Sequence, residues 1–341
     1  MTVAAENIWL NAVVIIVGSA ILVFIGGVFA MLYRGIDRKL VARMQGRVGP
    51  PIVQPFRDVQ KLLMKENIVP DGAIPWLFNA APFLALISTG SLLLFIPLFG
   101  NPALLGRYGD VILVLYLLII PSLAFVVGGF ASSSPYATVG AQREMIIMMS
   151  YEAPLAVVVL GIAWRIGQVA GVANPFLMST IAQYPIWSLL GPVGVIGALL
   201  MLATLVVVTV GEAAKVPFDI AEAETEIAGG LLVEYSGRNL SLFYLSDVIK
   251  AFAMAALLVA LFIPYNLSPA LGIQSAYGAG IVDVLFFLVK VLVVMFFSIS
   301  LIRAGMARFK ISQASTVYVV AMTALALVGM FLVWVDARIW V

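Results

Sequence analysis

Residues 111–131 read VILVLYLLIIPSLAFVVGGFA, a run of 21 positions without a charged side chain. A helix needs roughly 20 apolar residues to cross the hydrocarbon core of a bilayer, so this stretch predicts a membrane span. Further uncharged stretches of similar length are 8–33, 74–99, one within 187–210, and 312–335. Three more apolar stretches contain charges: 145–164, 240–263 and 282–302. The sequence therefore predicts an all-α membrane protein with eight transmembrane helices.

The composition excludes a water-soluble enzyme. Of the 341 residues, 63% are hydrophobic and 11% are charged, whereas a soluble domain has roughly a quarter of its residues charged. The chain contains no cysteine and no histidine, which excludes thiolate-bound iron–sulfur clusters, histidine-bound haem and the usual zinc sites from this chain. We therefore expect no cofactor in this chain. The net charge of +2 predicts no nucleic-acid partner.

The distribution of basic residues predicts the topology. Eight spans place four loops, 34–73, 132–144, 211–239 and 303–311, on one side, where they hold 14 of the 19 lysines and arginines. The positive-inside rule assigns these loops to the cytoplasm and both termini to the outside of the cell membrane. The first span is too long for a signal peptide, and its basic residues follow it. We expect a single polytopic membrane domain over residues 1–341.

The first loop, residues 34–73, predicts two amphipathic helices. Residues 34–47 read RGIDRKLVARMQGR and residues 54–66 read QPFRDVQKLLMKE, with Gly49-Pro50-Pro51 as a break between them. One interpretation is a docking face for soluble partners at the membrane surface. The alternative is a set of topogenic basic residues that contact lipid headgroups.

The third loop, residues 211–239, is unusually acidic. Its six carboxylates are Glu212, Asp219, Glu222, Glu224, Glu226 and Glu234. If residues 219–226 are helical, Asp219, Glu222 and Glu226 share a face, and like charges that close raise one another's pKa. The loop is either a carboxylate-lined path for protons or cations, or a solvated acidic segment that binds a basic partner.

Ionisable residues within the spans are functional candidates, because a charge at bilayer depth is costly. Glu152 lies eight residues after Glu144, about two helical turns away on the same side, and we expect Glu152 to belong to an ion path. Asp247 and Lys250 are spaced to pair with each other. Asp283 and Lys290 are two turns apart. For these two pairs, neutralisation of helix contacts is an equally open interpretation.

Three segments together resemble one family: DRKLVARMQGRVGPPIVQPFRDVQKLLMKE at 37–66, QREMIIMMSYEAPLA at 142–156, and GEAAKVPFDIAEAETEIAGGLLVEYSG at 211–237. The family is that of NADH dehydrogenase subunit 1 of respiratory complex I and its membrane-bound hydrogenase relatives. The resemblance implies a non-redox protein that anchors an electron-transfer arm and starts a coupling path. It assigns Glu144, Glu152, Glu212, Asp219, Glu222, Glu224, Glu226 and Glu234 to the path, and we add Asp247 because of its place in a span. It assigns Arg34, Asp37, Arg38, Arg43, Arg47 and Lys65 to the docking loop.

The chain departs from quinone-reducing members at two places. Only residues 51–53 separate Pro50 from Gln54, where those members have a longer insertion, and the segment ARFKISQ at 307–313 lacks their Tyr-Asp pair. Both features resemble the ferredoxin-linked hydrogenase or sulfur-reducing branch. The resemblance then implies iron–sulfur clusters, and in a hydrogenase NiFe, in partner subunits.

The partners that the resemblance implies are hydrophilic electron-transfer subunits on the cytoplasmic loops and antiporter-like and small membrane subunits within the bilayer. Two alternatives stay open. One is the equivalent subunit of a quinone oxidoreductase, and the other is a stand-alone secondary transporter whose ion site includes Asp247 and Asp283. The sequence does not distinguish H⁺ from Na⁺ as the transported ion.

Overall fold

The computed structural model describes residues 2–169, 171–172, 174–273 and 275–339, and the regular structure of these residues is helical. The helices are α1 (Thr2–Met44), α2 (Gln54–Leu63), α3 (Pro75–Phe95), α4 (Val111–Ala131), α5 (Pro135–Gly167), α6 (Met178–Gln183), α7 (Pro192–Glu212), α8 (Glu224–Ile227), α9 (Gly237–Phe262), α10 (Ala276–Met295), α11 (Leu301–Gly305), α12 (Ile311–Thr316) and α13 (Thr323–Ile339). Two π-helical turns, Phe296–Ser300 and Val317–Met322, join α10 to α11 and α12 to α13.

Eight helical segments of the described chain are long and apolar enough to cross a membrane. They are α1 from Ile15 onward, α3, α4, α5, α7, α9, the joined helices Tyr277–Gly305, and the joined helices Ile311–Ile339. The eight predicted spans are therefore confirmed. Proline in the first turn begins α3, α5 and α7, where its missing N–H has no partner to lose.

The predicted loops are shorter than expected, because the helices extend into them. α1 continues to Met44, so residues 34–44 prolong the first span instead of forming a separate surface helix. The predicted break at residues 49–51 is present, and α2 begins at Gln54. α5 begins at Pro135 and leaves only residues 132–134 of the second loop.

α9 is the central helix of the bundle, and its side chains from 248 to 262 are buried throughout. It packs against α1, α3, α7 and α10. Lipid is as apolar as a leucine side chain, so helices in a bilayer associate through close packing that small residues permit. The segment 251–262, AFAMAALLVALF, supplies five such alanines. α9 thereby carries Asp247 and Lys250 into the packed interior.

Charges at the end of α9 that is remote from the acidic loop have structural partners. Lys290 Nζ donates to the backbone oxygens of Ile263 at 2.9 Å and Tyr265 at 2.8 Å. Asp283 accepts from the backbone N–H groups of Leu267 and Ser268 and from the Ser268 hydroxyl. Asp283 and Lys290 therefore each fix the turn 263–268 that follows α9.

Candidate functional site

Polar and ionisable side chains between the helices form a set that we call the polar axis. Its members come from the last turns of α1, the middle of α4 and α5, the end of α7, the loop 213–223 and α9. They are Arg34, Asp37, Ser122, Glu144, Tyr151, Glu152, Glu212, Lys215, Glu222, Asp247 and Lys250. Because a buried charge costs several kcal/mol unless it is paired, the partners decide what this set can do.

The axis begins at Asp37, a carboxylate that is only 3% exposed. The hydroxyl of Ser300 donates to Asp37 Oδ1 at 2.8 Å. The guanidinium of Arg303 lies 3.0 Å from Oδ2, and that of Arg34 lies 3.5 Å from the same oxygen. Asp37 thus joins the end of α1 to the π-helical turn at 296–300 and to α11.

A second ion pair, between Lys215 and Asp247, lies next to Arg34 and Asp37. Lys215 Nζ is 2.6 Å from Asp247 Oδ2, and the burial of Lys215 lowers the pKa of its ammonium despite this partner. A cavity of about 10 Å³ lies between this pair and the pair of Arg34 and Asp37. A single water molecule needs a cavity of about this size.

Glu222 lies beside this second pair. Burial and the negative charge of Asp247 raise the pKa of Glu222 to about 8, and Lys215 only partly opposes them. Glu222 therefore carries a proton at neutral pH. Such a carboxyl group can exchange its proton when a neighbouring charge changes.

Lys250 is the centre of the innermost group. Its ammonium lies 2.8 Å from Glu212 Oε1 and donates to Ser122 Oγ at 2.7 Å. The Ser122 hydroxyl is in turn 3.4 Å from the Tyr151 hydroxyl. The side chains of Lys250 and Glu212 are 6% and 2% exposed, so this ion pair is buried inside the helical bundle.

Two further carboxylates surround this ion pair. Glu144 is buried, and its electrostatic neighbours are Lys250, Ser122, Glu212 and Asp247. Glu152 is only half-buried, and its neighbours are Glu212 and Lys250. One lysine therefore serves three carboxylates, which leaves this group with more acids than bases.

A cavity of about 270 Å³ opens beside Glu152 between α4 and α5. Glu152 and Glu212 are its acidic lining residues, and its walls are otherwise apolar and include Leu115 and Ile119. The polar axis thus runs from Asp37, near the basic end of α1, to a carboxylate at the cavity between α4 and α5.

The predicted shared face of Asp219, Glu222 and Glu226 is wrong. Asp219 and Glu222 precede the short helix α8, which spans only Glu224–Ile227, and Pro217 and the glycines at 229–230 prevent one continuous helix from forming there. Asp219 pairs with Arg308 at 2.8 Å and Glu226 pairs with Arg143 at 2.6 Å. Glu222 alone of the three joins the polar axis.

The remaining acidic-loop residues lie outside the polar axis. Glu224 is exposed and Glu234 is partly exposed. Together with the paired carboxylates Asp219 and Glu226, they form the outer surface of the loop.

The predicted docking residues divide into three groups by exposure. Asp37 is buried and Arg34 is partly buried, with side chains 3% and 16% exposed, and both are engaged within the polar axis. Arg38 is partly exposed and pairs with Asp58 at 2.7 Å. The exposed members are Arg43, Arg47 and Lys65.

Sequence reasoning missed the partners that make the axis. The expected pairing of Asp247 with Lys250 is wrong: Asp247 pairs with Lys215 and Lys250 pairs with Glu212. Residues three apart on one helix still diverge by about 60°, so each meets a different neighbouring segment. Lys250 could be recognised as a candidate, because it is an ionisable residue within a span. Nothing in the sequence distinguished Ser122 and Tyr151 from packing residues.

The donor set of the axis suits proton transfer. Within the described ranges, no group of three or more acidic side chains is arranged to hold a metal ion. Carboxylates that alternate with ammonium groups and hydroxyls hold and pass protons, since each change of protonation is partly balanced by the next charge.

The chain is similar in sequence to subunits of known respiratory membrane complexes. Residues 16–334 match the family model described as NADH dehydrogenase. The chain is 32% identical over 256 residues to hydrogenase-4 component C of Escherichia coli, which covers 74% of this chain and 77% of that protein. It is 31% identical over 277 residues to formate hydrogenlyase subunit 4 of the same organism, covering 80% and 86%.

Two other similarities bear on the branch of the family. A subunit of the NADH-quinone oxidoreductase of Geobacillus sp. is 34% identical over 267 residues, covering 75% of each chain. A chain in the structure of the membrane-bound sulfane sulfur reductase, an archaeal respiratory membrane complex, superposes with a TM-score of 0.80 at 27% identity. That match covers 94% of this chain and 99% of the other, so the whole helical arrangement is shared.

The ion pair between Lys250 and Glu212 yields a stability prediction. Lys250→Met leaves the Glu212 carboxylate buried without its ammonium partner, and we expect this to destabilise the protein by roughly 3–5 kcal/mol. The double variant Lys250→Met/Glu212→Gln removes both charges and should recover most of that loss. Thermal unfolding of the detergent-purified protein measures both effects, with Lys61→Met on the exposed face of α2 as the control. A double variant as unstable as the single one would contradict the pairing.

The raised pKa of Glu222 yields a pH prediction. Infrared spectroscopy should detect a protonated carboxyl group that disappears with a midpoint near pH 8 and is absent from Glu222→Gln. Because the folded protein keeps this proton between the ordinary pKa of 4.5 and about 8, whereas an unfolded chain releases it, Glu222 lowers folding stability as the pH rises through that window. Loss of the signal near pH 4.5 would show that Glu222 is solvated.

Proposed function

The chain belongs to the NADH dehydrogenase family, and on this basis we propose that it is the membrane anchor and coupling subunit of a complex I-like, ion-translocating oxidoreductase of the hydrogenase or sulfur-reductase type. In this role the chain carries no electrons itself. It binds the electron-transfer arm on its basic side and transmits a redox-linked change of charge to ion-pumping subunits in the membrane.

The observation that carries this proposal is that the ionisable groups of the polar axis are electrostatic neighbours: Glu144 interacts with both Asp247 and Lys250, and Glu222 interacts with Asp247 and Glu144. Asp37 lies about two turns before the end of α1, and Glu152 lies at the cavity between α4 and α5. Between them stand the pairs Lys215–Asp247 and Lys250–Glu212. Two unit charges 4 Å apart interact by about 4 kcal/mol at an effective dielectric constant of 20. A change of charge at one member therefore alters the protonation of the next.

Different residues of this chain then carry out successive steps of the coupling. Arg303 and Ser300 hold Asp37 at the entrance, so a movement of the first loop changes the field at Arg34. Glu222 exchanges its proton in response, because its pKa depends on the charges of its neighbours Asp247 and Lys215. Lys250 passes the change to Glu144 and Glu152, since both acids share its single positive charge.

The short connection at residues 51–53 and the similarity to hydrogenase-4, formate hydrogenlyase and sulfane sulfur reductase chains favour the hydrogenase or sulfur-reductase branch. Iron–sulfur clusters, and NiFe in a hydrogenase, then belong to partner subunits. The partners comprise a hydrophilic electron-transfer arm, antiporter-like subunits and small membrane subunits.

The basic side of the bundle carries most of the lysines and arginines, which supports a cytoplasmic position for the charged loops. Both ends of the chain then lie outside the cell membrane. This orientation places the docking loop, residues 34–73, where soluble electron-transfer subunits are available.

A second candidate is the equivalent subunit of a quinone-reducing complex, because the NADH-quinone oxidoreductase subunit of Geobacillus sp. is similar over three quarters of the chain. Extraction of the purified complex distinguishes the two: stoichiometric bound quinone supports this candidate, and its absence together with ferredoxin-dependent activity supports the first. A stand-alone transporter has less support, since Asp283 is engaged by the turn at 267–268.

The proposal predicts that Glu222 and Glu226 differ, although they lie four residues apart. Glu222→Gln should abolish most ion transport per electron transferred while electron transfer and assembly persist, because the axis loses its exchangeable proton. Glu226→Gln should leave coupling intact, since Glu226 pairs with Arg143 on the outer surface. Both are measured in proteoliposomes as ion uptake against substrate turnover. Full transport by Glu222→Gln, or equal loss in both variants, would refute the role of the axis.

A further inference from the structure

A concave site lined by three guanidinium groups lies on the basic side, outside the polar axis. Its volume is about 320 Å³, and its charged lining residues are Arg38, Arg47 and Arg303. Val41, Ala42, Gly49 and Pro50 complete the lining. We call this the arginine pocket.

The turn after α1 builds one wall of the pocket. Gly49 adopts a φ of +74°, and a Cβ at this position would lie 2.8 Å from the Cβ of Ala42. Glycine therefore lets the chain fold back against α1, which brings Arg47 over the same concavity as Arg38. The pocket follows from the local backbone as well as from the side chains.

The pocket has positive charge to spare. Arg38 pairs with Asp58, and Arg303 shares Asp37 with Arg34. Arg47 donates to the amide oxygen of Gln45, which carries no charge. Arg34 and the three lining arginines thus have only Asp37 and Asp58 as carboxylate partners. A guanidinium group has five N–H donors, so these side chains keep donors for a bound anion.

The pocket has apolar lining residues beside its guanidinium groups and lies near the ends of two spans. Arg303 is in the last turn of the span Tyr277–Gly305, and Arg38 is within the last two turns of the span Ile15–Met44. Val48, beside Arg47, is 76% exposed, and Met306, three residues after Arg303, is 52% exposed. A positive concavity with an apolar rim at the membrane surface suits an amphipathic anion.

We propose that the arginine pocket binds the phosphate of an anionic phospholipid, with Arg38, Arg47 and Arg303 around the headgroup and the acyl chains against Val48 and Met306. The lipid fills the concavity between the end of α1 and α11. Free phosphate has the same headgroup chemistry but gains nothing from the apolar rim. A carboxylate of a soluble protein likewise leaves that rim exposed.

Arg47→Gln tests this, because Arg47 has no carboxylate partner to strand. The protein is purified from its own membrane with the subunits that accompany it, stripped of lipid, and titrated with phosphatidylglycerol, phosphatidylcholine of the same acyl chains, or inorganic phosphate. Native mass spectrometry reads bound lipid, and thermal unfolding reads its effect. Arg107→Gln, an exposed arginine in the loop between α3 and α4, is the matched control.

We expect phosphatidylglycerol to bind more tightly than phosphatidylcholine, and Arg47→Gln to weaken that binding about fivefold while Arg107→Gln does not, since one arginine near an anionic headgroup contributes about 1 kcal/mol. Inorganic phosphate that competes as well as the lipid would assign the site to free phosphate and overturn the lipid assignment. Equal binding by Arg47→Gln and the native protein would overturn the site itself. Loss of soluble subunits without a change in lipid binding would assign the pocket to a protein partner, against the proposal.

Discussion

Lys250 is 5% exposed in the middle of a membrane protein, and its ammonium must therefore have an acid beside it. That requirement brings the end of α7 against α9, because Glu212 is the last residue of α7 and lies 2.8 Å from Lys250. It also fixes α4, whose Ser122 accepts a hydrogen bond from the same ammonium. The pairing of buried charges thus determines which helices meet on the charged side of the bundle.

The same constraint makes the site responsive. A structure that only needed neutral helix contacts would use equal numbers of acids and bases, or none. Here Lys250 is shared by Glu212, Glu144 and Glu152, and Glu222 keeps a proton because burial and Asp247 raise its pKa. An excess of buried acids can be stable only if some of them are protonated, and the position of those protons depends on the surrounding charge.

The eight spans could be predicted from sequence, since hydrocarbon thickness sets a length that apolar runs either meet or do not. The structure brings Glu144, Glu152, Glu212 and Glu222, which the sequence assigned to an ion path, together in the polar axis, and their role in ion transport stays a prediction. Their partners could not be predicted. Lys250 and Asp247 are neighbours on one helix, yet they face different elements, and Lys215 reaches the axis only because the chain after α7 turns inward. Arg34 and Asp37 lie in a basic stretch that predicts a docking surface, but in the structure both side chains face the polar axis between the helices.

The central claim is that redox work changes protonation within the polar axis. Infrared difference spectra of the intact complex, recorded between its oxidised and reduced states, measure this directly. We expect carboxyl bands that change with redox state and that are lost in Glu222→Gln while the cofactor bands of the partner subunits persist. Carboxyl bands that are identical in the two redox states would contradict it.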